Sequence, residues 1–319
     1  MSDAASFPHH VAVLGAGAVG CYFGGMLAQA GTRVTLIGRQ AHVDAIGRHG
    51  LAILRDGGEQ RIAVAATADE AAVREADLVL VCVKSPDTES AARSIARHLR
   101  PDARLMSLQN GVDNGARLAG VLAQPVYAAV VYVGTSMEGP GRVRHAGRGD
   151  LVIGVPREAR GRGDAHADLA AIAATFERAR VGCPVAPDIE AALWTKLVIN
   201  CAFNAVSALG RARYAALAAS EAMRRVMEDT VLECVAVAHA DGVVLDEAAL
   251  LQTVWSVAHA MPQQYSSTAQ DVFRGKATEI DALNGYVVRR GADLRVATPV
   301  NRTLHALVKL LEAAPAAPA

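Results

Sequence analysis

The 319-residue sequence predicts a doubly wound α/β domain followed by an all-α domain. Three observations carry that expectation. Short apolar runs alternate with helical periodicity through the first half. A glycine cluster, Gly15-Ala16-Gly17-Ala18-Val19-Gly20, stands between the first strand signal and the first helix signal. Past Pro184 and Pro187 the strand signals stop and helical periodicity continues almost to the end. The expected domains are therefore 1–187 and 188–312, with an alanine- and proline-rich tail at 313–319 expected to be disordered.

The elements follow in order. Residues 11–14 form an apolar run that stops at glycine, 22–30 read as a helix, and 33–37 as the next strand. Runs 51–54 and 61–64 flank Asp56-Gly57-Gly58, a hairpin signal. Residues 77–83 are continuously apolar after Asp77, the pattern of a parallel strand buried on both faces. A helix is expected at 88–99, and a strand at 104–108 that ends at Gln109-Asn110-Gly111. Strands at 126–133 and 150–155 are joined by a glycine-rich turn region. The second half reads as helices at 189–209, 217–240, 246–260, 267–273, 279–290 and 299–312, with Ser267 and Thr278 as expected N-caps.

Composition narrows the function classes. Lys plus Arg and Asp plus Glu each number 32, so the net charge is zero, which argues against nucleic acid or an anionic membrane as the main partner. Only four of the cations are lysine, at 84, 196, 276 and 309, so each lysine merits a reason. The five cysteines form no CxxC pair and read as reduced thiols, which suits the cytoplasm. The first ten residues hold Asp3 and no Lys or Arg, unlike a signal peptide. Residues 11–32 are uncharged and long enough to span a bilayer, but six glycines favour strand, turn and helix instead. The histidines show no metal-ligand spacing, so no metal is expected.

The glycine cluster has a physical reading. Gly15 suits a tight turn, Gly17 lets the backbone approach a pyrophosphate, and Gly20 lets the helix pack against the sheet. Ala18 and Val19 open the helix, whose N-terminal N–H groups suit phosphate. An NAD site usually carries an acid at the end of the second strand, yet this strand ends Leu36-Ile37-Gly38-Arg39-Gln40. Arg39 suits a 2′-phosphate, so NADP (NADPH) is the expected cofactor, with Lys84 a second cation at the sheet's C-terminal edge. In the second domain, Lys196, Asn200 and Asn204 recur at i, i+4, i+8 in an apolar helix and share one face. Buried lysine can act as a proton donor near neutrality, whereas arginine does not.

These motifs together resemble the ketopantoate reductase family (2-dehydropantoate 2-reductase). The resemblance rests on the GxGAxG loop, Gln109-Asn110-Gly111, the Lys196/Asn200/Asn204 helix, the run Ser266-Ser267-Thr268-Ala269-Gln270-Asp271, and Thr278-Glu279-Ile280-Asp281 with Asn284-Gly285. It implies a Rossmann domain followed by a helical domain like that of 6-phosphogluconate dehydrogenase. It also implies NADPH-dependent reduction of ketopantoate to pantoate, a step in pantothenate biosynthesis. Carried over, Lys196 is the general acid and Glu279 orients it or accepts from the substrate hydroxyl. Asn110 sits near nicotinamide and substrate, while Asn200, Asn204 and Ser267 bind the 2-keto acid. Two departures stand out: Ala205 follows Asn204 where the family often has proline, and Arg274-Gly275-Lys276 is looser than the usual basic run. The alternatives are a reductase of another branched 2-keto acid and a non-catalytic NADP-binding sensor. A homodimer is compatible with the sequence.

Overall fold

The computed structural model describes residues 7–161 and 164–313. The chain forms two compact units. One comprises the residues up to Gln109 together with Asp113–Ile189; the other comprises Asn110–Val112 with the residues from Glu190 onward.

The first unit contains β1 (His10–Leu14), α1 (Ala18–Gln29), β2 (Arg33–Ile37), α2 (Gln40–His49), β3 (Leu51–Arg55), β4 (Gly58–Ile62) and β5 (Ala65–Thr67). It continues with β6 (Leu78–Val81), α3 (Thr88–Ile95), β7 (Arg104–Ser107), α4 (Asn114–Ala119), β8 (Val126–Gly139), β9 (Arg142–Gly154) and α5 (Ala165–Arg178). One nine-stranded sheet runs in the order β4-β3-β9-β8-β7-β6-β1-β2-β5. From β5 to β8 all neighbours are parallel. Alternate residues face opposite cores: Val11, Val13, Leu78 and Leu80 join α1 and α5, whereas Ala12, Leu14, Val79 and Val81 join α3 and α4. All four residues of β6 are at most 1% exposed, and burial of such side chains contributes about 2 kcal/mol each. This is the Rossmann arrangement expected from the strand–helix alternation. The chain leaves β1 toward β2 and later returns on the other side as β6, so the topological switch point lies between β1 and β6.

Some local expectations differ from the structure. The glycines after residue 133 do not end the strand. β8 and β9 form one long antiparallel hairpin, and its register shifts fall at Tyr132/Val133, Gly134/Thr135 and Met137/Gly139. Glycine lets the strands bulge there and continue, with a Gly134 Cβ leaving only 3.2 Å to the Gly147 carbonyl oxygen. Helices α2, α4 and α5 have no counterpart among the elements expected from the sequence. α2 buries only His42 and Ile46, too few apolar positions to mark a stripe.

The second unit contains α6 (Ile189–Gly210), α7 (Tyr214–Ala219), α8 (Glu221–Ala240), α9 (Glu247–Ala260), α10 (Ser267–Phe273), α11 (Asn284–Leu294) and α12 (Pro299–Ala313). α6 is long and apolar enough to cross a bilayer on composition alone. Here it is the core helix, with Trp194, Leu197, Val198, Cys201 and Phe203 packed inside the unit. The helix expected at 217–240 breaks at Ser220, whose Oγ caps the next helix by accepting from Met223 N at 3.4 Å. The helix expected at 279–290 is a 3₁₀ turn, Ile280–Ala282, then α11, with Leu283 outside helical geometry between them. α12 extends through Ala313, the first residue of the expected tail; 314–319 lie outside the described residues.

Candidate active site

In the first unit, the glycine loop lies at the switch point. Gly15 has φ +107°, and a Cβ there would stand 2.7 Å from both Cys82 C and Val83 N. Gly15 therefore lets the turn after β1 touch the turn after β6. A Cβ at Gly20 would collide with the Gly15 carbonyl oxygen and stand 2.9 Å from Val13 Cγ1, so Gly20 seats α1 on the sheet. Gly17 differs: a Cβ there would meet nothing within 4 Å, and its φ of −85° suits any residue. Among the described residues no atom requires glycine at that position, which fits a loop kept bare for another molecule. α1 also has no side-chain N-cap and no acid in its first turn, so its positive end suits an anion. Burial pushes the Cys21 thiol up to about 12 and raises the Cys82 thiol as well, so neither sulfur opposes a phosphate with negative charge. Ala18 and Val19 begin α1 and are half-exposed.

Arg39 is exposed at the N-cap of α2, directly after β2; its carbonyl accepts from His42 N and Val43 N, while its guanidinium makes no hydrogen bond or ion pair among the described residues. The nearby acids are engaged: Asp44 accepts from Gln40 Nε2 at 2.7 Å, and Asp69 caps its own turn through Ala71 N at 2.9 Å. Lys84 is exposed at the start of the 3₁₀ turn Ser85–Asp87, beyond the end of β6. These features fit a dinucleotide with its pyrophosphate at Gly17 and the start of α1.

The second unit gathers the remaining residues. Lys196 Nζ donates to Asn110 Oδ1 at 2.9 Å, and Asn110 Nδ2 donates to Glu279 Oε2 at 3.0 Å. The ammonium and the carboxylate hold opposite ends of one amide, which fixes which end is oxygen. Glu279 stands before the 3₁₀ turn and makes no capping hydrogen bond, so its carboxylate serves Asn110 and not a helix end. Lys196 is half-buried, a correction to its expected burial, because it lies on the side of α6 that Asn200 shares.

Asn204 is 2% exposed, and its Nδ2 donates to Ser267 Oγ at 3.3 Å. Asn200, one turn away, is half-buried and makes no side-chain hydrogen bond among the described residues. The expected N-cap Ser267 is displaced by its neighbour. Ser266 Oγ accepts from Ala269 N and donates to the Asn204 carbonyl, which pins α10 on α6. Ser267 is thereby released from capping and exposed. Adjacent serines carry no local signal of which one caps. Sequence reasoning also missed Gly38, where a Cβ would stand 2.6 Å from Ala16 Cβ inside the loop.

A switch-point glycine loop and a lysine–amide–carboxylate chain define a dinucleotide-dependent oxidoreductase. Comparison with known proteins gives the family. Residues 11–158 match the model "Ketopantoate reductase PanE/ApbA", and residues 188–312 match "Ketopantoate reductase PanE/ApbA C terminal". A 2-dehydropantoate 2-reductase of Halobacterium salinarum is 39% identical, over 95% of this chain and 98% of that one. The crystal structure of a PanE/ApbA family ketopantoate reductase from Ralstonia eutropha JMP134 is 48% identical with a TM-score of 0.87, over 95% of this chain and 98% of that one. The ternary structure of D-mandelate dehydrogenase with NADH and anilino(oxo)acetate is 25% identical with a TM-score of 0.88, over the same shares. The chain belongs to the ketopantoate reductase family, whose members are NAD(P)-dependent oxidoreductases.

Proposed function

We propose that this chain reduces ketopantoate to pantoate with NADPH, using Lys196 as the general acid. The observation that carries the reading is the Lys196–Asn110–Glu279 hydrogen-bond chain, set on the helix that also presents Asn200 and Asn204. NADPH, when bound, supplies the hydride that the C2 ketone receives. The ketone oxygen then develops negative charge, and the Lys196 ammonium donates a proton to it. Asn110 accepts one of the three Lys196 N–H bonds and so orients the others. Glu279 keeps the Asn110 oxygen turned toward Lys196 by taking the amide hydrogen. Ser267 Oγ accepts from Asn204, which leaves its own proton for a substrate carboxylate. Asn200 offers a further amide to the same anion.

The NADPH preference is supported by Arg39, whose guanidinium makes no hydrogen bond or ion pair among the described residues, and by the absence of a carboxylate among residues 36–40. Gly15, Gly17, Ala18, Val19 and Gly20 would hold the pyrophosphate, with Lys84 as a second cation. The five cysteines are unpaired, which supports a cytoplasmic setting.

A second reading is reduction of another 2-keto acid. It is favoured by the similarity to D-mandelate dehydrogenase, whose bound anilino(oxo)acetate is a 2-oxo carboxylate with an aromatic group. The test is NADPH oxidation with ketopantoate, ketoisovalerate and phenylglyoxylate, repeated with NADH. Highest kcat/KM for ketopantoate with NADPH supports the first reading, and preference for another acid supports the second. Dinucleotide binding without turnover of any acid indicates a sensor. Lys196→Ala is expected to abolish turnover while NADPH still binds; retained turnover removes Lys196 from the mechanism.

A further inference from the structure

Glu279 is held by a short irregular segment, not by a helix. Thr278 and Ile280 on either side are buried, and one 3₁₀ turn follows. The charged face of α12 grips this segment at both ends. Thr278 N donates to Glu312 Oε1 at 2.7 Å, before Glu279. After Glu279, the Asp281 carboxylate takes His305 Nε2 at 2.6 Å and Lys309 Nζ at 2.9 Å. Lys309 Nζ also reaches Glu312 Oε2 at 2.7 Å, which joins the two grips. His305, Lys309 and Glu312 are spaced i, i+4, i+7 and so lie on one face of α12. Gly285 adds an independent observation: a Cβ there would stand 2.8 Å from His305 Nε2, so glycine admits the imidazole beneath α11.

The electrostatics agree with this geometry. Burial raises the Asp281 carboxyl, but the hydrogen bonds from His305 and Lys309 outweigh it and hold the group below its ordinary value. Hydrogen bonds to Glu312 and then Asp281 raise Lys309.

We infer that Asp281, His305, Lys309 and Glu312 form a positioning clamp that aims the Glu279 carboxylate at Asn110, and through it sets the Lys196 ammonium. The clamp deepens the proposed mechanism and rests on that reading for its effect on rate. Its geometric claim stands apart from the substrate. Asp281 and His305 are positioning residues, since the groups they bond are those of the clamp and not of the lysine–amide chain.

The test uses the full chain with Asp281→Asn, Glu279→Gln and the double variant. One readout is kcat and KM. The other is the ε-carbon signal of Lys196 in isotope-labelled protein, where four lysines give four signals. Asp281→Asn is expected to lower kcat about tenfold or more, with the KM for NADPH within about twofold, as loss of an aimed group does. Its Lys196 signal should move the same way as in Glu279→Gln, and the double variant should be no slower than Glu279→Gln alone. Multiplied losses in the double variant, or an unmoved Lys196 signal in Asp281→Asn, would overturn the clamp. His305→Gln keeps a donor and should recover most of the rate that His305→Leu loses; equal losses would also overturn it. If the wild type reduces no 2-keto acid, the proposed activity fails and the Lys196 signal alone decides the clamp.

Discussion

Asn110→Ala removes, in one step, the acceptor of Lys196 and the donor to Glu279. Both bonds are short, 2.9 and 3.0 Å, and both have an ionisable partner. Hydrogen bonds to charged groups contribute about 1.5–3 kcal/mol each. Lys196 and Glu279 are half-buried, so water recovers part of that sum. A net loss of about 2–3 kcal/mol in transition-state stabilisation is expected, or roughly 30- to 140-fold in kcat/KM at 1.4 kcal/mol per tenfold. The assay is the initial rate of ketopantoate-dependent NADPH oxidation, with NADPH affinity measured separately by titration. The loss should fall on kcat, with NADPH affinity unchanged. Asn110→Asp keeps an acceptor for Lys196 but turns a second oxygen toward the Glu279 carboxylate, so it should not restore the rate. A kcat/KM within about threefold of wild type for Asn110→Ala would refute the reasoning, because two charge-assisted bonds would then be worth less than one neutral one.

Other outcomes follow from the same structure. Arg39→Asp should raise the KM for NADPH by about tenfold or more, the worth of one charge-assisted contact, and leave that for NADH nearly unchanged; equal effects would remove Arg39 from cofactor choice. Gly17→Ala places its Cβ in open space and should leave the thermal midpoint of the free protein nearly unchanged while weakening dinucleotide binding. Gly15→Ala meets Cys82 and Val83 at a positive φ and should lower the midpoint by several degrees; like behaviour of the two variants would refute the distinction. The Arg117 hydrogen bonds hold the Glu89 carboxyl down at about 2, against an ordinary value of 4.5. A depressed folded-state value stabilises above the unfolded one and is lost on acidification. The stability difference between wild type and Glu89→Gln should therefore be full above about pH 4.5 and shrink toward pH 2; a constant difference would contradict the pairing.

How much of this was legible in the sequence depends on chain distance. The glycine loop and the Lys196, Asn200, Asn204 face are local patterns, fixed by one turn or one helical period. Asn110 could be named as a strand-end amide. Its partners lie 86 and 169 residues away, and no periodicity reports such pairings. The β8–β9 hairpin misled for the opposite reason: glycine signals both an ending and a bulge, and only the cross-strand neighbour distinguishes them. The Glu279 segment looked helical because Thr278 before Glu279 resembles a cap. Thr278 does accept from Ile280 N, at 3.2 Å, but Leu283 ends the turn.

The three residues Asn110–Val112 group with the helical unit, although the chain on both sides groups with the sheet. The unit that carries Lys196 is thus not a continuous stretch of sequence. A gene cut between the two family matches, after residue 158 and before residue 188, would yield a helical fragment with the lysine and the carboxylate but without the amide that joins them. Any chimera that exchanges helical units must transplant this tripeptide from the interior of the other half, or leave Lys196 without its amide acceptor.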